Sequence, residues 1–212
     1  MKLYYCETPS PRKACAVARY LGLPIEYAFV DLTRGEQTRP DYLAINPNGK
    51  LPCLVDGERS IWEADAIMFH LALNAESELW PRSASQQVDV VRWLSWNSQH
   101  LLRHGGSLYF EYLVKPLFGL GEPDPSKVSE AQDSFRRFAG VLDQHLKGRK
   151  WLLGDDLSIA DFSVAVMLPY APRCAIPLDE FTEVRRWHDQ LNAFDAWRNP
   201  FPARPAQAGA NA

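Results

Sequence analysis

One short stretch, Asn-Pro-Asn-Gly-Lys-Leu-Pro at residues 46–52, constrains the fold of this chain more than any other part of the sequence. Its Asn-Pro and Asn-Gly pairs are strong turn signals. Pro52 precedes the apolar run Cys53-Leu54-Val55, and proline is tolerated at the first position of a strand, where a cis peptide bond is also found. The pattern therefore predicts a tight loop that enters a strand through Pro52.

A second strand and a helix follow this loop. Asp56-Gly57 predicts a hairpin turn, and apolar residues at helical spacing from Ile67 to Ala72 predict a helix that opens at Glu63. The loop before the proline leaves backbone groups unpaired, and a helix N-terminus supplies amide donors and a positive dipole end. Together they predict a site that grips an extended peptide backbone and its carboxylate.

This block resembles the glutathione-binding half of the glutathione S-transferase family. That family commonly carries Asn-Pro-x-Gly-Lys-Val-Pro and then Glu-Ser-x-Ala-Ile, where this chain has Leu51 for valine and Ala64 for serine. The resemblance covers nearly the whole chain. It implies an α+β fold, with a thioredoxin-like N-terminal domain followed by an all-α C-terminal domain.

The composition argues against some classes of partner and indicates the cellular compartment. The net charge of −3, with no basic stripe, argues against a nucleic-acid partner. No apolar run approaches the roughly 20 residues of a membrane span, and Met1–Tyr5 runs straight into a strand pattern without the features of a signal peptide. The four cysteines match neither a zinc site nor a Cys-x-x-Cys motif, so we expect free thiols, no metal and a cytoplasmic location.

The periodicity predicts two domains, at residues 1–77 and 86–200, joined by a linker at 78–85. In the first, we expect strands at 2–6 and 25–30, a helix at 11–21 capped by Gly22, and a helical turn at 40–43. In the second, we expect helices at 84–103 and 126–147 and no strand. Ser158 and Asp161 have capping-box spacing. The composition of residues 201–212 predicts a disordered tail.

Glutathione chemistry needs a thiolate, which a hydroxyl donor and a helix N-terminus both favour. The loop between the first strand and the first helix offers Cys6, Thr8 and Ser10, with Tyr5 just before it. In one register the loop resembles the Thr-Pro-Asn-Gly-x-Lys pattern of the nu-like bacterial class, and Thr8 matches the sulfur-contacting hydroxyl. In another it resembles the beta class, and Ser10 falls on the active cysteine. We favour Thr8 over Ser10, although both residue types are also common at turns and helix caps.

The resemblance also assigns the tripeptide. Leu51 is expected to pair its backbone with the cysteinyl unit next to a cis Pro52, Glu63 to bind the γ-glutamyl ammonium, and the Ala64 amide to hold the γ-glutamyl carboxylate. Candidates for the glycyl carboxylate, which are equally plausible as surface residues, are Gln37, Arg39 and Lys50. Ala64 lacks the family's serine hydroxyl. A charge-assisted hydrogen bond is worth about 1.5–3 kcal/mol, so its loss should weaken glutathione affinity rather than abolish it.

The resemblance implies a homodimeric transferase that conjugates glutathione, its co-substrate, to a hydrophobic electrophile. The pocket for that electrophile is expected between the domains, with candidate residues Trp96, His100 and Tyr109. Two alternatives stay open: a glutathione-dependent disulfide-bond reductase, supported by Thr8-Pro9, and a non-catalytic ligand-binding protein on the same fold, motivated by Ala64.

Overall fold

The computed structural model describes residues 1–203 and combines one sheet with helices. The four strands are β1 (Lys2–Tyr5), β2 (Glu26–Phe29), β3 (Cys53–Asp56) and β4 (Arg59–Trp62), in the order β2-β1-β3-β4. β2 runs parallel to β1, whereas β3 is antiparallel to both β1 and β4. With the helices that follow, this mixed sheet confirms the predicted thioredoxin-like and all-α fold class.

Three helices accompany the sheet: α1 (Pro9–Tyr20), α2 (Pro40–Leu43) and α3 (Ala64–Asn74). Gly22 ends α1 as predicted, with a φ of 64°. The Gly22 amide donates to the Arg19 carbonyl and the Leu23 amide to the Ala18 carbonyl, both at 3.1 Å. This is a Schellman motif, and its positive φ is the reason for glycine.

The structure corrects the predicted start of α1. The two prolines were expected to delay the helix until residue 11, but it begins at Pro9. The amides of a first helical turn have no intrahelical acceptor, so prolines at positions 9 and 11 cost the helix nothing. Thr8 becomes the N-cap residue, and Ser10 lies inside the helix.

The β3–β4 hairpin is also displaced slightly from its predicted position. Asp56 pairs with Arg59, so the two-residue loop consists of Gly57 and Glu58 instead of Asp56 and Gly57. Gly57 has a φ of 59°, which a glycine adopts without steric cost. The turn therefore lies one residue further along the chain than the Asp-Gly signal indicated.

The rest of the chain is helical, and the described residues beyond Trp62 contain no strand. The helices are α4 (Ala84–Gln99), α5 (Leu101–Tyr109), α6 (Lys115–Leu117), α7 (Pro125–Leu146), α8 (Ile159–Val164), α9 (Ala171–Cys174), α10 (Thr182–Leu191) and α11 (Asp195–Arg198). The single helix predicted at 84–103 is wrong, because His100, with φ −122° and ψ −82°, separates α4 from α5. The domain boundaries at 77 and 86 remain predictions.

The capping box predicted at the start of α8 is present. The Ser158 amide and hydroxyl both donate to Asp161 Oδ2, at 2.9 and 3.1 Å. Asp161 is fully buried, and its Oδ1 also accepts from the Leu152 amide and the Trp187 indole, both at 2.9 Å. Burial raises the pKa of Asp161 to about 6, although these donors favour the carboxylate. The motif therefore joins three parts of the helical core.

The chain end departs from the tail that its composition predicts. Phe201 falls within that tail, yet its ring stacks on Tyr5 with centroids 6.0 Å apart, and its carbonyl accepts from Arg19 at 3.4 Å. The remainder of the predicted tail, residues 204–212, lies outside the described residues. Within residues 1–203, no helix is long and apolar enough to cross a membrane.

Candidate functional site

Strand direction brings three chain segments to one edge of the sheet. β1 and β4 run the same way, so α1 and α3, which follow them, both start at the edge where β3 begins. The pairing of Tyr4 with Cys53 sets the end of β1 beside the start of β3. The loop holding Thr8, the Leu51-Pro52 bond and the start of α3 at Ala64 therefore share this edge.

Thr8 presents a hydroxyl that does not cap its own helix. It has N-cap geometry, with φ −124° and ψ 168°, but its side chain makes no capping bond. Thr8 Oγ1 instead lies 3.1 Å from the sulfur of buried Cys6. Pro9 and Pro11 carry no amide hydrogen, and the Arg12 amide donates to the Thr8 carbonyl at 3.1 Å. This helix start offers few amide donors, so a sulfur anion here would depend on side-chain hydroxyls from Thr8 or half-buried Ser10.

The loop before β3 is held rigidly and leaves Leu51 free to pair. The Lys50 carbonyl accepts from the Tyr42 hydroxyl at 2.6 Å and from the Asn46 side-chain amide at 2.8 Å. The Leu51-Pro52 peptide is cis, as predicted. In residues 1–203, no backbone hydrogen bond reaches the N–H or C=O of Leu51. An extended peptide could therefore pair with Leu51 as an added strand.

The sequence signals did not assign roles to Tyr42 and Asn46. Asn46 is only 1% exposed and also accepts the Asn48 amide at 3.1 Å, so it closes the turn and anchors the Lys50 carbonyl. Its place in the Asn-Pro signal marks a turn but not this second function. Gly49, with φ 59°, packs so closely that a Cβ there would lie 3.2 Å from the Gln37 carbonyl.

The junction between β4 and α3 is strained at a polar residue. Glu63 has φ 71° and ψ 118°, an unfavourable backbone conformation for a residue with a side chain. Its carbonyl accepts the Ile67 amide at 3.0 Å, which starts the helix, and its side chain is exposed. Ala64 is 5% exposed, and its amide is one of the donors that a helix N-terminus directs outward. The start of α3 therefore suits an anion, and the Glu63 carboxylate beside it suits a cation.

The remaining predicted glutathione residues are Gln37, Arg39 and Lys50. Gln37 lies against Gly49, and its buried Oε1 has no hydrogen-bond partner within residues 1–203. Arg39 is exposed and pairs with Glu36 at 3.4 Å. Lys50 is exposed. The unsatisfied Gln37 atom is an acceptor, so only the side-chain nitrogen of Gln37 can donate to a carboxylate, whereas Arg39 already has a carboxylate partner.

A buried network that the sequence did not reveal ties the starts of α1 and α3 to the helical part. Lys13 Nζ donates to Asp65 Oδ1 at 2.6 Å, and the Ser163 hydroxyl donates to the same oxygen at 2.8 Å. Asn97 donates to the Ser163 carbonyl at 2.9 Å. The Lys13 side chain is 4% exposed. Two features of the sequence could have indicated this network. One is Lys13, a lysine between apolar residues of α1, and the other is Asp65, the acidic residue directly after Ala64.

The three predicted electrophile-pocket residues occupy different surroundings. Tyr109 packs edge-on against Tyr170, with ring centroids 5.0 Å apart. Burial raises the pKa of Tyr109, and the neighbouring Tyr170 and Cys174 groups add to this rise. Trp96 and His100 instead pack on the Phe138 ring of α7, at 6.3 and 4.4 Å between centroids. The structure therefore groups Tyr109 with Tyr170 and the other two residues with Phe138.

Residues 1–203 contain no group of three or more His, Cys, Asp or Glu side chains placed to hold a metal ion. The fold and the shared edge define a thioredoxin-like binding module joined to a helical domain. Its distinguishing parts are the loop that carries the Thr8 hydroxyl, the cis-proline entrance to β3 and the start of α3.

Comparison with known proteins identifies the family. The profile of the glutathione S-transferase N-terminal domain matches residues 1–73, and that of the glutathione S-transferase C-terminal domain matches residues 125–190. Glutathione S-transferase 3 from Zea mays is 33% identical over 97% of this chain and 95% of its own length. This chain belongs to the glutathione S-transferase family.

Two solved structures are similar along most of their lengths. The apo form of glutathione S-transferase III has 32% identity and a TM-score of 0.82, covering 96% of this chain and 99% of that chain. A glutathione transferase from Burkholderia graminis, with two glutathione molecules bound per subunit, has 26% identity and a TM-score of 0.80, covering 94% of this chain and 86% of that chain.

Proposed function

We propose that this protein is a glutathione S-transferase that adds the glutathione thiolate to a hydrophobic electrophile. The observation that carries the proposal is the shared edge, where Thr8, the unpaired backbone of Leu51 and the start of α3 lie together. A tripeptide paired with Leu51 would have its cysteinyl sulfur near the β1–α1 loop and its γ-glutamyl end near α3.

Each residue has a defined role in this proposal. The Thr8 hydroxyl donates to the glutathione sulfur and favours the thiolate, with Ser10 as the alternative donor. Glu63 binds the glutamyl ammonium, and the Ala64 amide binds the glutamyl carboxylate. Gln37 and Lys50 are the better-placed groups for the glycyl carboxylate, because Arg39 is paired with Glu36. Tyr109 borders the electrophile pocket. The protein contributes thiol ionisation and positioning.

We further propose that the chain forms a homodimer. Trp62 on β4 and the α4 residues Val88 and Val91 are exposed by 44%, 67% and 53%. Exposed large apolar side chains that form one continuous patch are typical of surfaces that associate with a partner.

The test of the transferase proposal measures the pKa of the bound glutathione thiol and the turnover of chlorodinitrobenzene, an aryl halide. Thr8→Val keeps the side-chain shape and removes the hydroxyl. We expect this variant to return the thiol pKa toward its solution value of about 8.5 and to lower kcat/KM by about tenfold to a hundredfold. Thr8→Ser should retain most activity, because it keeps the donor.

The matched variant is Ser10→Ala, which removes a hydroxyl two residues further on, in the first turn of α1. If Ser10→Ala has the effects expected of Thr8→Val, the donor is Ser10 and the assignment of Thr8 is wrong. If neither variant changes the thiol pKa, a thiolate activated by the hydroxyl of Thr8 or of Ser10 is excluded.

A second candidate activity is glutathione-dependent disulfide reduction. The relative from Burkholderia graminis, solved with two glutathione molecules per subunit, supports it. A small organic disulfide in the same assay separates the candidates. Reduction that persists in Cys6→Ser, without turnover of the aryl halide, would favour the reductase. Glutathione binding without either turnover would favour a ligand-binding protein.

A further inference from the structure

The loop between β1 and α1 places a second polar side chain against the Thr8 hydroxyl. Cys6 Sγ lies 3.1 Å from Thr8 Oγ1, and the Thr8 amide donates to the Cys6 carbonyl at 2.9 Å. Glu7, between them, is exposed, whereas Cys6 is only 4% exposed and Thr8 is half-buried. The loop therefore turns tightly at Glu7 and holds the buried thiol in contact with the hydroxyl.

The residues after Thr8 keep its hydroxyl out of its own helix. An N-cap hydroxyl usually accepts from the amide of the second or third helical residue. In α1 the third residue is Pro11, which has no amide hydrogen, and Thr8 makes no side-chain capping bond. The contact with Cys6 thus takes the place of the usual contact with the helix.

The direction of the Cys6 contact decides what Thr8 can do. A threonine hydroxyl has one hydrogen and two acceptor lone pairs, and a thiol is both a weak donor and a weak acceptor. If Thr8 gives its hydrogen to the Cys6 sulfur, none remains for glutathione. A glutathione thiolate is the stronger acceptor, because hydrogen bonds to ions are about twice as strong as neutral ones. With a thiolate bound, the favourable role that remains for Cys6 toward Thr8 is that of donor.

We propose that Cys6 is a positioning residue for thiol activation, an inference that rests on the transferase function proposed above. The Cys6 S–H group donates to a lone pair of Thr8 Oγ1 and so directs the Thr8 hydrogen toward the glutathione sulfur. This donation also polarises the hydroxyl, which strengthens its bond to the thiolate. Cys6 acts only through Thr8, so it needs neither a bond to glutathione nor access to solvent.

The groups around Cys6 are compatible with this role near pH 7. Burial raises the pKa of each of four titratable side chains within electrostatic range of the Cys6 sulfur: Cys15, Tyr42, Tyr109 and Tyr170. These four groups are therefore neutral near pH 7. The charged residues of the loop and of the first turn of α1 are Glu7, Arg12 and Lys13, and Lys13 is paired with Asp65. They do not change when Cys6 is replaced, so their influence on the bound thiol cancels between variants.

The experiment measures the pKa of the bound glutathione thiol in Cys6 variants, and kcat/KM for the aryl halide at saturating glutathione. For Cys6→Ala we expect the thiol pKa to rise by about half a unit to one unit, and kcat/KM at about pH 6.5 to fall by about threefold to tenfold, because one neutral hydrogen bond is lost. Cys6→Ser keeps a donor and should stay close to wild type. Cys6→Val fills the space without a donor and should match Cys6→Ala. Cys15→Ala, which removes another buried thiol, should change neither quantity.

The pH profile separates positioning of the hydroxyl from damage to the loop. The defect of Cys6→Ala should disappear by about pH 9, where the bound thiol is ionised in both proteins. A defect that persists at this pH would make Cys6 a packing residue and overturn the proposal. A matching loss of affinity for S-methylglutathione, which has no thiol to ionise, would overturn it as well.

Thr8→Val in the same assays shows which proposal has failed. If Thr8→Val raises the thiol pKa and neither Cys6→Ala nor Cys6→Val does, the transferase proposal stands and the role of Cys6 is refuted. If Thr8→Val leaves the thiol pKa unchanged, the Thr8 hydroxyl does not activate the thiol, and the Cys6 proposal fails with the assignment of Thr8.

Discussion

At the residue scale, Ala64 is the position where this chain departs most clearly from its family's motif. Its amide lies at the start of α3, but its methyl group donates no hydrogen bond to an anion. We expect Ala64→Ser to tighten glutathione binding by about tenfold to a hundredfold, because one charge-assisted hydrogen bond is worth about 1.5–3 kcal/mol. Calorimetry on both proteins measures this gain.

Ala66→Ser is the matched control, since it adds the same hydroxyl to an exposed position on the same helical turn. It should not change affinity. Equal affinities in wild type and Ala64→Ser would mean that the γ-glutamyl carboxylate does not approach the start of α3.

The residue types alone predicted the backbone of the loop before β3. The Asn-Gly turn and the cis Leu51-Pro52 bond follow from local chemistry, which a short sequence window contains. The anchoring of the Lys50 carbonyl by Asn46 and Tyr42 does not, because it depends on how the loop folds back on α2. A window around one residue cannot specify contacts that the tertiary fold creates.

At the scale of elements, the Lys13–Asp65 pair links α3 to α1, and the Ser163 hydroxyl links the same carboxylate to α8. Lys13→Met should remove the cation and leave Asp65 partly buried with a hydroxyl as its remaining donor in the network. We expect a loss of about 2–4 kcal/mol in the free energy of unfolding, since breaking a buried ion pair strands one charge. Glutathione affinity should fall as well, because Asp65 follows Ala64 in the first turn of α3.

Urea unfolding and calorimetry test this prediction. Lys2→Met is the matched control, because the Lys2–Glu26 pair has a similar length of 2.7 Å but lies on the surface. Exposed pairs contribute little, so Lys2→Met should be nearly neutral. Equal effects of the two substitutions would argue against a special role for the buried network.

The ends of the helices show which boundaries a sequence pattern can predict and which it cannot. The Gly22 cap was predictable because the chemistry of a helix end is local. The break at His100 was not, because residues 84–103 keep an apolar stripe through the break. His100 and His104 both stack on Phe138 of α7, at 4.4 and 5.6 Å between ring centroids. The broken helix is thus accompanied by a contact with a residue distant in sequence.

At the scale of the whole molecule, the first helix links the candidate glutathione site to the helical part of the chain. Thr8 is its N-cap residue at the shared edge of the sheet, and the Arg12 guanidinium, one turn later, lies over the Trp197 ring. Lys13 then joins α3 and α8. The sequence predicted the existence of α1 and its Thr8 and Ser10 candidates. It could not predict that the next turn of this helix packs on Trp197, because that depends on the packing of α8 to α11.

This packing should also make the stability of the molecule sensitive to acid. Burial lowers the pKa of His188 from 6.5 to about 4, so between these values the unfolded chain binds a proton that the native state does not. The contribution of His188 to stability therefore falls as the pH decreases through this range, and by about pH 5 this loss should reach about 2 kcal/mol relative to neutral pH. Asp161, whose pKa burial raises to about 6, contributes with the opposite sign and partly offsets this loss.

Urea unfolding of wild type and His188→Phe at several pH values measures this contribution. The variant cannot take up the proton, so its stability should decline less between about pH 7 and pH 5. Burial also lowers the pKa values of His104 and His145, but these groups titrate in both proteins and cancel in the difference. Parallel stability curves would show that His188 is accessible to protons in the native state.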